Sequence, residues 1–294
     1  MKNFITLLLV AASFAFAACH NSNEESLPLT PQTGTIDFLI SPYEIDNFDG
    51  LTRAATSIES LAHLDMAVYD AVSDELVTHI HQIPTDEGYG QFSATLPFGS
   101  YNIVFLGYEG SRQANVETPT SIYFPDNFVP HMFYKTIPLT ISTTKANTQP
   151  IALTRCVGGF IFNHQGELCP ENLDKISISV KDGSHHFNAL TGKATNIESR
   201  TYTYDGAKVY AGKDNLLVNF YTFLTSDEEV HMNFTVSALD EGQKEIRTRS
   251  FENVPMKINQ RTSYTGDFFA KDESVNGFQV TIENKDWIQK EYEY

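Results

Sequence analysis

Three cysteines, nine histidines and a surplus of acids are the reactive groups of this chain. Cys156 and Cys169 lie 13 positions apart. A hairpin through Gly158, Gly159, Gln165 and Gly166 would bring them within the roughly 7 Å between Cα atoms that a disulfide needs. In an exported protein a bridge and two free thiols are both open. Neither cysteine has a helix start or a basic neighbour beyond Arg155 to hold a reactive thiolate. His79 and His81 fall on one strand face and His185-His186 are adjacent, but no third or fourth ligand is identifiable. Solvated strand histidines are therefore expected, and no metal. Asp46-Asn47-Phe48-Asp49-Gly50 lacks the closing glutamate and the oxygen spacing of a calcium loop, and reads as a polar turn. Glu228-Glu229 point to opposite faces of a strand and cannot flank one glycosidic bond. There is no Gly-x-Ser-x-Gly elbow, no phosphate-cradling glycine loop and no His-Glu-x-x-His pair. No catalytic residue, cofactor or enzymatic activity is expected.

Cys19 is the cysteine with a stronger context. Lys2 forms a short basic start, Phe4 to Phe16 an apolar run too short to span a bilayer, and Ala17-Ala18 a small pair before the thiol. Phe16-Ala17-Ala18-Cys19 resembles a bacterial lipobox, in which the cysteine is acylated with palmitate-type chains and becomes the first mature residue. An aliphatic residue is usual where Phe16 stands. Each buried methylene contributes about 0.8 kcal/mol, so several acyl chains anchor a protein almost permanently. Residues 1–18 are then a lipoprotein signal peptide and 19–33 a flexible tether, since His20 to Pro28 is polar and aperiodic. Glu24-Glu25 resembles the acidic signal that routes some lipoproteins to the outer face of the outer membrane. The full chain has 20 basic and 37 acidic residues, a net charge of -17. That balance opposes binding to nucleic acid and to anionic lipid, leaving acyl chains as the means of attachment.

The elements that must position any site are strands. Leu64, Met66 and Val68 alternate with Asp65, Ala67 and Tyr69; Ile176, Ile178 and Val180 with Ser177 and Ser179; Met232, Phe234 and Val236 with Asn233 and Thr235. With Gly, Pro, Asn and Asp recurring at short intervals, this is the pattern of an all-β sandwich with one buried face per strand. Asp49-Gly50, Asp182-Gly183, Asp205-Gly206 and Glu241-Gly242 read as tight turns. Short helical turns are expected near Glu171 to Leu173 and within 55–62. Pro138, the Thr-rich stretch from Thr140 to Thr148 and Pro150 divide the body into an N-terminal sandwich domain at 34–150 and a C-terminal one at 151–294. The sequence shows no internal repeat.

His63 to Asp70, the hairpin from Glu75 to Gln82, and Leu96-Pro97-Phe98-Gly99-Ser100-Tyr101 resemble the first domain of the fimbrillin superfamily, the type V pilus subunits and their anchors. Leu153 to Phe160, Asn259 to Phe268 and Phe278 to Trp287 resemble its second. The resemblance implies two tandem transthyretin-like β-sandwich domains and assembly with other fimbrial subunits by strand exchange. As the resemblance implies, an arginine-specific protease would remove an N-terminal strand, and a neighbour's strand would fill the groove. Thr35 to Ile40 is the candidate first strand and Arg53, in Leu51-Thr52-Arg53-Ala54-Ala55, the candidate cleavage site. If Arg53 is cut the body can polymerise; if it is not, Cys19 keeps the protein as a membrane anchor. Gly277 to Tyr294 is a donor strand or closes its own sheet. Adhesion to a host protein or glycan follows from the same resemblance. The alternative is a lipid-anchored glycan-binding protein of polysaccharide uptake, which would expose Trp287 beside Tyr292 and Tyr294 as a stacking platform.

Overall fold

Alternating β-branched and aromatic residues favour pleated strands that bury one or both faces. The structure, a computed structural model, describes residues 31–41, 43–44, 55–56, 61–144, 148–271 and 278–283. Its strands in the first half are β1 (Thr33–Ile40), β2 (Tyr43–Glu44), β3 (Ala55–Thr56), β4 (His63–Asp70), β5 (Leu76–Gln82), β6 (Gln91–Pro97), β7 (Gly99–Tyr108), β8 (Ile122–Tyr123), β9 (Met132–Ile141), β10 (Thr148–Ile151) and β11 (Thr154–Arg155). The second half holds β12 (Val157–Gln165), β13 (Lys175–Gly183), β14 (His186–Asn188), β15 (Lys193–Thr195), β16 (Glu198–Tyr204), β17 (Asn215–Phe223), β18 (Val230–Leu239), β19 (Glu245–Met256), β20 (Arg261–Gly266) and β21 (Gln279–Glu283). Residues from Gln32 onward hold together as one unit. Among the described residues no helix is long and apolar enough to cross a membrane.

Each half is a sandwich. In the first, the sheet β10-β1-β6 packs on β11-β9-β7-β4-β5 through Ile36, Phe38, Leu64, Met66, Phe92 and Phe105. In the second, β17-β12-β20-β21 packs on β16-β13-β18-β19 through Phe160, Phe162, Ile176, Ile178, Phe234 and Phe251. The halves repeat one topology. β1 lies between antiparallel β6 and parallel β10, as β12 lies between antiparallel β17 and parallel β20. The facing sheets run β9-β7-β4-β5 and β19-β18-β13-β16. β10 and β11 still pair with first-half strands, so the chain crosses to the second sandwich between Arg155 and Val157.

A third cluster joins the halves. Ala67, Tyr69, Val104 and Tyr108, on the outer face of the first sandwich, meet Val157, Phe187 and Phe223 of the second. β4 is therefore buried on both faces, where the alternation predicted one. Gly107 of β7 is closely packed: a Cβ there would lie 2.6 Å from Leu61 Cδ1 and 2.8 Å from Leu153 Cδ1. Strand β8 pairs with β14, so a small sheet, β15-β14-β8, spans the joint.

The expected turns resolve differently. Asp182, at φ 58°, forms a bulge inside β13, where the register to β16 shifts between Val180 and Gly183. Asp205-Gly206 opens a 3-10 turn, Asp205–Tyr210. At Glu241-Gly242 the left-handed residue is Gln243, at φ 61°. Residues 171–173 form a turn closed by Leu173 N–H to Pro170 O, 2.9 Å. Asp46 to Gly50 lie outside the described residues, as do 57–60.

Candidate functional site: the slot of the first strand

The alternation in Thr-Ile-Asp-Phe-Leu-Ile sends Ile36, Phe38 and Ile40 inward and Thr35, Asp37 and Leu39 outward. Ile36, Phe38 and Ile40 are buried, whereas Leu39 is 46% exposed. The Phe38 ring meets Phe105 edge-on at 5.0 Å between centroids. Main-chain pairing fixes the strand on both sides, in register from Thr33↔Pro97 to Leu39↔Gln91 with β6 and from Asp37↔Thr148 to Ile40↔Ile151 with β10. Ile40 N donates to Gly90 O at 2.8 Å and Ser41 N to Ile151 O at 2.9 Å. Burying three such side chains contributes about 5–9 kcal/mol. Removing β1 would open an apolar slot lined by Phe92, Phe105 and Ile151, with unpaired main-chain groups along β6 and β10. An open ladder over an apolar groove is in general a surface on which an extended strand of alternating apolar residues can pair.

The turn that ends β6 has a local cause. Tyr101 folds back so that its hydroxyl donates to Pro97 O at 2.9 Å, closing Pro97-Phe98-Gly99-Ser100-Tyr101. Cys19, Glu24-Glu25, Arg53, Trp287, Tyr292 and Tyr294 lie outside the described residues. Cys156 and Cys169 are free, and no bridge joins them. They stand at opposite ends of β12, whose nine residues span roughly 27 Å, and each is sealed in a different cluster. Burial pushes the Cys156 thiol well up and that of Cys169 up to about 11. β21 pairs antiparallel with β20, closing its own sheet, and leaves Val280 and Ile282 exposed.

The histidines form pairings that sequence reading missed. His79 Nε2 lies 2.6 Å from Asp65 Oδ1, and His81 Nε2 lies 2.9 Å from His63 Nδ1. His79 and His81 thus join β5 to β4 and are not merely solvated. The signal was the i, i+2 spacing on both strands, but the register Asp65↔His81 is needed to see the match. Among the described residues no three His, Cys, Asp or Glu groups converge to hold a metal. His131 is buried between Glu109 Oε1, 2.8 Å from Nδ1, and Arg155 Nε, 2.7 Å from Nε2. His185 and His186 lie near Arg200, whose guanidinium donates to Ser184 O at 2.7 Å and to Asn127 O. Glu228-Glu229 lie in the exposed loop before β18.

Three solved structures show a similar chain path. A candidate adhesin from Bacteroides thetaiotaomicron has 10% identity and a TM-score of 0.50, covering 87% of this chain and 98% of its own. A candidate adhesin from Bacteroides ovatus has 15% identity and a TM-score of 0.49, covering 90% and 95%. The fimbrial anchor protein Mfa2 from Porphyromonas gingivalis has 12% identity and a TM-score of 0.47, covering 87% and 98%. The first of these establishes a shared all-β fold along most of both chains. No curated protein matches the sequence. The model of a family of unknown function, DUF6562, matches residues 131–292, more than half of the chain, and the protein belongs to that family.

Proposed function

We propose that this protein is a fimbrial subunit or anchor of the cell surface that joins other subunits by strand addition and serves adhesion. The observation that carries the reading is the slot of β1: a central strand, buried through three side chains, tied to β4 only by the long segment 41–62 that contains Arg53. The fimbrial and adhesin descriptions of proteins with a similar chain path agree with this role. In this reading residues 1–18 are a signal peptide, the residues from Cys19 up to β1 a tether acylated at Cys19 in the outer membrane, and the two domains are the sandwiches that meet between Arg155 and Val157, five residues beyond the expected boundary at 150. The excess of acids, which gives the full chain a net charge of -17, keeps such a body in solution above the membrane.

Mass spectrometry of the native N-terminus tests it. An acylated Cys19 identifies an anchor, and a start at Ala54 identifies a polymerising subunit. An unmodified start elsewhere refutes both. Arg53→Ala leaves an anchor's assembly unchanged and abolishes polymer if cleavage is required.

A further inference from the structure

The joint between the sandwiches is held by hydrogen bonds that fix one histidine in a single protonation state. His131 receives Arg155 Nε–H on Nε2 at 2.7 Å, so Nε2 carries no proton, and Nδ1–H donates to Glu109 Oε1 at 2.8 Å. Arg155 in turn donates from Nη1 to Asn259 Oδ1 in the turn before β20. The His131 ring lies against Tyr221 of β17, 5.5 Å away and 22° from parallel. Glu109 and His131 belong to the first sandwich, Asn259 and Tyr221 to the second, and Arg155 bridges them.

We propose that this joint is a proton-operated latch, closed while His131 is neutral and released when it is protonated. A proton on Nε2 would place two donors and two positive charges 2.7 Å apart, and Arg155 would have to leave. Its departure also breaks the bond to Asn259 and the stacking of its guanidinium on Phe133, 5.0 Å from the ring centroid. The groups facing His131 are Glu109, which favours the proton, and Arg155 and Arg261, which oppose it. Burial weighs most, and with the arginines it outweighs Glu109, holding His131 below its ordinary value. The other side of the joint responds in the same sense. His186 Nδ1 meets Ser121 Oγ of the first sandwich at 2.9 Å, and the His185 ring lies 4.3 Å from that of His186. His185 faces Arg200 and Glu198, the latter 3.5 Å from Nδ1, and burial is the largest cause that lowers both rings. Acid therefore adds charge to both sides of one interface, and the two sandwiches become free to bend against each other.

Hydrogen exchange, corrected for intrinsic rates, reads the latch in the full chain. Between about pH 7 and about pH 5 the amides around His131, Cys156 and Asn259 should lose protection by about tenfold or more, while the β12 and β13 cores keep theirs. His131→Gln keeps a donor for Glu109 and an acceptor for Arg155 without titrating, so its protection there should fall by clearly less than that of the wild type over the same range. Unchanged wild-type protection, or an equal loss in the Gln variant, overturns the proposal. If His131→Gln does not fold, the imidazole nitrogen shifts of wild-type decide: a neutral Nδ1–H tautomer at about pH 6 supports it, and a cation there refutes it.

Discussion

Replacing Phe38 by Ala tests the slot directly. The ring is 1% exposed and packs against Phe105, which Phe92, the cross-strand partner of Phe38 on β6, also meets at 6.0 Å. Phe→Ala at a closed core site costs about 3–5 kcal/mol, from lost transfer energy and the cavity left behind. In a body of this size each kcal/mol moves the melting temperature by about 2–4 °C, so Phe38→Ala should lower it by about 6–20 °C. Leu39 is the internal control: one residue along, on the opposite face and 46% exposed, its replacement by Ala should cost below about 1 kcal/mol. Urea unfolding of wild-type and both variants, followed by circular dichroism, gives the two differences side by side. Equal costs at 38 and 39, or a cost below about 1 kcal/mol at 38, would mean that β1 does not occupy the slot in this register, and the case for strand addition would fall with it.

Gly107→Ala drives a methyl into Leu61 and Leu153 and should destabilise by about 1–3 kcal/mol in the same assay, whereas a neutral outcome would contradict the packing of β7. Tyr101→Phe removes the hydroxyl that closes the Pro97 turn and should cost about 1 kcal/mol; an unchanged urea midpoint would show the bond to be dispensable. Cys156 and Cys169 should ignore a thiol reagent in the native protein and both react after denaturation, and a bridge would reveal itself as no added reactivity until reduction. His185 is held down to about 4 by burial, then by His186 and Arg200. The unfolded chain binds that proton near pH 6.5 and the folded one does not, so stability should be full above that value and fall as the pH drops toward about 4. A urea midpoint that rises with acid over this range contradicts the burial of His185.

The strands were legible because alternation is a local signal: Ile176, Ile178, Val180 and Phe234, Val236 all enter the second core as their period demands. Burial of the other face of β4 was not, since Ala67 and Tyr69 suit a half-exposed surface as well as the joint that covers them. The dipeptide Asp182-Gly183 carries turn chemistry, and its left-handed Asp182 is real, yet neighbouring strands use it as a bulge. Pairings such as Asp65–His79 and His131–Arg155 depend on register and on residues far along the chain, which no local pattern encodes. The repeated topology was hidden for a related reason. A sandwich asks only for apolar residues at alternate positions, and two halves can satisfy that with unrelated side chains.

Under the proposed strand addition, that repeat explains why one slot and not its twin would suit exchange. β12 occupies in the second sandwich the place that β1 holds in the first, between one antiparallel and one parallel neighbour. But β12 is followed by a short connection, 166–174, fastened by Gly166 N to Asp214 O at 3.2 Å and Cys169 N to Lys213 O at 2.7 Å. It is also continuous with the joint at Cys156, so neither end is free to leave. β1 is joined to β4 through the long segment 41–62, and lengthening a connection adds little to the entropy of closing it. The outer edges differ as well. Because Ile151 O accepts Ser41 N, Ile151 and Gln149 turn their main-chain groups toward β1, leaving Thr148 and Pro150 on the outside. Pro150 has no N–H to offer, which discourages a strand from adding beyond β10. The matching position beyond β20 is filled by β21. Under the proposed strand addition, then, an incoming strand would be steered away from the β10 edge and toward the place of β1, where it would gain two ladders and the buried positions that Ile36, Phe38 and Ile40 now fill.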